Sequence, residues 1–127
     1  MQESESFMRQ IPEFHLIEQN VAVIEPCTEE AGAFMIDFNL FRYLKKRENV
    51  PWSQIDFKLL NERLKTLTNE AVQIQISDRL GICKITCPKW ESILARSGRI
   101  VVRRVKKREL IDQAVNFLFN LLEGCLI

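Results

Sequence analysis

The spacing of apolar and polar residues changes several times along the chain, and each change predicts an element. Val72, Ile74 and Ile76 alternate with Gln73, Gln75 and Ser77, the period of a half-buried strand. Ile82 and Ile85 resume an apolar pattern after Ser-Asp-Arg-Leu-Gly, so 72–87 predicts a β-hairpin with a polar tip. Upstream, Ile55, Leu59, Leu60, Leu64 and Leu67 fall on one stripe, and Lys58, Glu62 and Lys65 point away from it. That spacing predicts a helix over Ile55–Leu67, with Ser53 or Asp56 able to cap it and Asn69 to stop it. A second helix is predicted over Glu109–Leu122. It is built on Leu110, Ile111, Ala114, Val115, Leu118 and Leu122 and stopped by Gly124.

Other stretches mix periods. In 33–48, Phe34, Ile36, Phe38 and Leu40 alternate, yet Phe34, Phe38 and Phe41 also fit a helix. The expectation is a strand over Ala33–Asp37 and then a helix from about Asn39 to Glu48, with Asn39 as its cap. Two short apolar runs in Phe14–Glu25 suit a hairpin or one bent strand, ended by Pro26. Trp90–Leu94 reads as a short helix or a further strand. Ser97-Gly98 reads as a turn, and Ile100, Val101, Val102 and Val105 as a β-rich run. Residues 1–11 have no period and read as a mobile end.

Together these elements predict a single small α+β domain over 12–127. It has about three helices and a mostly antiparallel sheet of four to six strands. Helix followed by hairpin, within 39–87, resembles the core of a winged helix in order. A chain of 127 residues, 46% hydrophobic and 28% charged, is long enough to bury its own core. There is no leader-like start, and the longest nearly charge-free apolar run, Ala114–Leu122, is shorter than the ~20 residues a bilayer needs. The expected setting is therefore cytoplasmic, without a membrane partner and with the four cysteines reduced.

Net charge is only +1 and excludes nothing, but its distribution is uneven. Residues 1–41 hold one basic residue against eight acidic ones, and the remainder holds 17 against 9. Within 89–108, eight basic residues face the single acid Glu91. Lys and Arg gain affinity for phosphate backbones by releasing condensed counterions, and Arg also forks onto phosphate or guanine. The leading expectation is thus a non-enzymatic nucleic-acid-binding module, DNA-binding in its first form. Its contacts would come from Arg96, Arg99, Arg103, Arg104, Lys106, Lys107 and Arg108, with Arg63, Lys65, Arg79 and Lys84 secondary. In one flat strand Arg103 and Arg104 point to opposite faces, so one surface can collect the charges only if the strand ends near Val105. The plainer alternative is a solvated strand end, paired with Glu109, Asp112 or the acidic first third. Lys45, Lys46 and Arg47 need no partner beyond helix-end carbonyls. Tyr43 and Trp90 are the candidates for stacking on bases.

The other functional expectation is a protein-interaction or adaptor subunit that meets an acidic protein surface. NFLFNLLEGCLI is apolar on more of its circumference than one core face needs. Phe117, Phe119 and Leu121 are therefore the candidate interface of a homodimer or complex. Neither a metal nor a cofactor is expected. On a strand Cys83 and Cys87 lie ~13 Å apart, beyond the reach of one zinc. His15 is the only histidine, and no glycine-rich phosphate loop occurs. An enzyme would need His15 gathered with a Cys and a carboxylate in space.

Overall fold

A computed structural model describes residues 24–26, 32–47, 50–67 and 71–127. The strands are β1 (Ile24–Pro26), β2 (Phe34–Asn39), β3 (Gln73–Ser77), β4 (Ile82–Thr86), β5 (Glu91–Ala95) and β6 (Arg99–Val105). The helices are α1 (Leu40–Arg47) and α2 (Phe57–Leu67), between β2 and β3, and α3 (Leu110–Leu122), after β6. The expected α+β class, three helices and antiparallel sheet are therefore present. The strand order is β1-β2-β6-β5-β4-β3, every neighbour antiparallel. In the region 39–87 considered as winged-helix-like, the hairpin β3–β4 follows α2 and pairs on into β5, as one end of this six-stranded sheet. The expected mobile end and most of the 14–25 hairpin lie outside the described residues.

Alternation explains the layering. Ile36 and Phe38, Ile100 and Val102, Leu94, and Cys83 and Ile85 point to one face and are buried. There they join Leu40, Tyr43, Leu44, Ile55, Leu60, Leu64, Leu118, Phe119 and Leu122 in a single core. Phe119 is its aromatic hub, 5.9 Å from the stacked Tyr43 ring and 6.2 Å from Phe38 edge-on. Full burial of a side chain such as Ile100 or Leu94 contributes roughly 1.5–3 kcal/mol.

Local chemistry fixes the ends. Asn39 caps α1, its Oδ1 accepting from the backbone N–H of Phe41 and Arg42. Of the two caps considered for α2, Asp56 acts, accepting from Lys58 and Leu59. Arg63 of α2 donates to the carbonyl of Leu121, 2.9 Å away, which ties α2 to the C-terminal end of α3. The β5–β6 turn holds Gly98 at φ 95°, where an added Cβ would lie 2.7 Å from Cε2 of Phe41. Only glycine satisfies both the backbone angle and the ring contact.

Trp90–Leu94, left open between helix and strand, resolves as β5, which starts at Glu91. The β5–β6 hairpin is symmetric about its turn: Leu94 opposes Ile100, Ile93 opposes Val101, and Glu91 opposes Arg103.

A candidate polyanion-binding turn

The sheet face opposite the helices is covered by no element among the described residues. It carries Met35 and Asp37 from β2, Arg99, Val101 and Arg103 from β6, Ile93 and Ala95 from β5, and Ile82 from β4, around a shallow hollow of about 330 Å³. Two charged groups of this face are already occupied. Arg99 forks onto Asp37, with contacts of 2.7 and 3.2 Å, and the carboxylate holds the guanidinium pKa above its ordinary value. Arg103 donates to Glu91, its direct cross-strand partner, and Lys84 lies 3.4 Å from the same carboxylate. Burial alone would raise the Glu91 pKa. The hydrogen bonds and charges of Arg103, and then of Lys84, together outweigh it and hold the carboxyl below its usual value.

Arg96 is structural as well. Its guanidinium meets the carboxylate of Asp78 at 2.7 Å and the carbonyl of the same residue, and lies 5.2 Å above the Phe57 ring. It thereby stitches the β3–β4 tip to the β5–β6 turn. Of the secondary cations, Arg63 and Lys84 hold the fold as described, and Lys65 pairs loosely with Glu62 at 3.7 Å, both exposed. Arg79 is exposed at the β3–β4 tip.

The remaining four residues differ. β6 carries a bulge: β2 advances two residues from Phe34 to Ile36 while β6 advances three, from Val105 back to Val102. The extra residue lies in the left-handed region, Arg104 at φ 61°. Val105 therefore returns to the core after Val102, and Arg104 is thrown outward. The strand then ends. Lys106, Lys107 and Arg108 follow in an exposed turn before α3. Arg104, Lys106, Lys107 and Arg108 form no ion pair among the described residues. By register, this turn shares its end of the sheet with exposed Lys89, just ahead of β5.

Of the seven primary cations, then, four are brought together and three are neutralised. The Lys45 cluster is not part of the group. Lys45 lines a second hollow, of about 520 Å³, with Asn39 and Arg42 at the far end of β2, and the side chains of Lys46 and Arg47 lie outside the described residues. The stacking candidates fail to present a face: Tyr43 is fully buried, and Trp90 is half-buried against Phe117. The interface candidates are corrected too. Phe119 is 2% and Leu121 6% exposed in the chain's own core, which accounts for the wide apolar face of α3, and Phe117 alone is half-buried.

Asp37 belongs to the acidic first third that the plainer alternative offers as a partner, whereas Asp78 and Glu91 were not singled out as neutralising partners. Glu91 and Arg103 were legible in principle, since each lies six residues from Ser97 in the predicted turn.

The three described cysteines, Cys83, Cys87 and Cys125, are free thiols. Burial pushes the Cys83 thiol up to about 12 and raises Cys125 as well, while the part-buried Cys87 donates to the Trp90 carbonyl. Cys27 and His15 lie outside the described residues. Among the described residues no group of three or more His, Cys, Asp or Glu is placed to hold a metal ion, and no helix is long and apolar enough to cross a membrane. Comparison with known protein families, curated proteins and solved structures finds no match.

Proposed function

We propose that this chain is a non-enzymatic, cytoplasmic nucleic-acid-binding module that grips phosphate backbones through the turn after β6. Arg104, Lys106, Lys107 and Arg108 make the contacts, and Lys89 extends them. One observation carries the reading. These cations are exposed and unpaired among the described residues, in a protein whose neighbouring arginines are neutralised by its own carboxylates. Releasing the counterions of phosphates requires such uncommitted charge.

The test is a fluorescence-anisotropy titration of labelled duplex and single-stranded DNA and RNA across salt concentrations. Log affinity should fall linearly with log salt, with a slope of about −3 to −4 on duplex if four phosphates are contacted. No binding to any of them at ~50 mM salt overturns the proposal at its most favourable condition.

A second reading is an adaptor subunit that meets an acidic protein surface. It is favoured by the sheet face that no described element covers, where apolar Ile82, Ile93 and Val101 stand between paired charges. Charge would then set encounter rate and specificity. If charge reversal in the turn abolishes capture of an acidic partner and leaves nucleic-acid retention unchanged, this second reading replaces the first.

A further inference from the structure

Three segments meet at the end of the sheet away from the basic turn. α1 presents Arg42 and Lys45, three residues apart and so on one helical face. The β5–β6 turn presents Ser97, and the segment ahead of α2 presents Ser53. With Asn39 and Phe41 they line the hollow of about 520 Å³. Its walls are tied to one another. Asn39 Nδ2 donates to the Ser97 carbonyl at 3.2 Å, and the Leu40 N–H to the Gly98 carbonyl at 2.8 Å. The Ile55 N–H donates to the Arg96 carbonyl at 2.9 Å, which joins the segment carrying Ser53 to the turn carrying Ser97. The N–H groups of Ser53 and Gln54 both donate to the Ile127 carbonyl. Backbone bonds therefore set the shape of the hollow before any ligand arrives.

The chemistry of the lining is one-sided. Arg42 and Lys45 are exposed and form no ion pair among the described residues. The exposed hydroxyls of Ser53 and Ser97 make no side-chain hydrogen bond there either. No carboxylate belongs to the described lining. The first amides of α1 are already taken by Asn39 Oδ1, so side chains, not the helix end, must meet a ligand. A guanidinium fork beside an ammonium suits an oxyanion with several acceptor oxygens, which a phosphoryl group provides. Phe41 is the one apolar residue of the described lining and is buried. The remainder of such a ligand must therefore be polar. The volume lies within the range of small-molecule sites.

We infer that this hollow binds a small phosphomonoester with a polar, sugar-like body. The phosphate sits on Arg42 and Lys45, and the body hydrogen-bonds to the hydroxyls of Ser53 and Ser97. The site is separate from the basic turn. Asn39 opposes Arg99 at one end of the β2–β6 pair and Phe34 opposes Val105 at the other, so ~17 Å of strand lies between the two groups of cations. One phosphate cannot touch both, and the inference does not rest on the nucleic-acid reading.

The experiment is an amide-shift titration of the isotope-labelled full chain with ribose 5-phosphate, and with ribose as the control. The signals of Arg42, Lys45, Ser53 and Ser97 should move saturably with the phosphate ester and stay in place with ribose. Two charge-assisted contacts put half-saturation below ~10 mM at low salt. Arg42→Gln should weaken binding at least ~10-fold, and Lys45→Gln by a similar factor. Both side chains are exposed, so the rest of each variant's spectrum should overlay the parent and show an intact fold. Neither change should alter duplex DNA affinity. Absence of saturable shifts up to ~10 mM overturns the inference, as does an equal response to ribose. Shifts that survive Arg42→Gln, or that fall on 104–108 instead of the hollow, overturn it equally. A loss of DNA affinity in step with ester binding would make the hollow part of the nucleic-acid surface and replace the inference.

Discussion

The regular part of β6 contrasts with the bulge and turn that follow it. From Arg99 to Arg103 the strand alternates regularly, and each outward arginine finds a carboxylate on the same face. From Arg104 to Arg108 alternation is broken by one extra residue, and the cations meet no acid among the described residues. Regular pairing thus makes positive charge part of the scaffold, because a flat sheet brings cross-strand neighbours to ~5 Å. A bulge followed by a turn takes charge out of that lattice and leaves it to solvent. Charge is denser in the second stretch, four cations in five residues against two in five, but density alone does not say which cations are paired. Register decides which part is available to a ligand.

This contrast can be broken in order of effect. Reversing Arg104, Lys106, Lys107 and Arg108 to Glu should lower nucleic-acid affinity by more than ~100-fold near 0.1 M salt, read by anisotropy, while thermal unfolding stays close to the parent. Equal loss on reversing Arg99 would mean that pairing with Asp37 does not withdraw it. Gly98→Ala acts on the scaffold part alone. It forces a Cβ into Phe41 at a left-handed angle and should cost roughly 3 kcal/mol in a urea titration.

Glu91→Ala should cost about 2 kcal/mol, below the usual loss for a broken buried pair, because Lys84 still reaches water and Arg103 is partly exposed. The folded pKa of Glu91 lies below the ordinary 4.5. Its contribution is therefore complete above that value and is lost as pH falls below it, through the folded pKa. Glu91→Gln should flatten this part of the acid dependence, seen in urea midpoints at about pH 7 and pH 3.

Arg104→Gly sharpens the contrast most finely. Glycine fits the left-handed angle, so the variant should gain about 0.5–1 kcal/mol of stability while its nucleic-acid affinity falls. A variant that loses stability would show that the Arg104 side chain supports the fold.

Much of this architecture is legible in the sequence. The stripe Ile55–Leu67 and the alternation of Val72–Ser77 each match one period, and both elements formed within a few residues of expectation. Strand followed by helix over 33–48 is likewise legible, because Asn39 offers a cap where alternation stops. The charge assignments were less legible. Arg99 is 62 residues from Asp37 and Arg96 is 18 from Asp78, so their pairing depends on strand order, which periodicity does not carry. Phe119 and Leu121 illustrate the same gap. An apolar helix face reads alike whether it meets a partner or its own Tyr43 and Phe38. The bulge left no composition signal, since arginine has no preference for φ above zero.

The bulge also has a genetic consequence. A chain that lacked Arg104 would carry Val105 straight into the slot a regular strand gives to its next inward residue, so the hydrophobic interior would lose nothing. Loss of one codon would flatten β6 and swing the basic turn to a new bearing with the rest of the architecture intact. A change in chain length by one residue would thus redirect the exposed cations without altering the composition of the buried core.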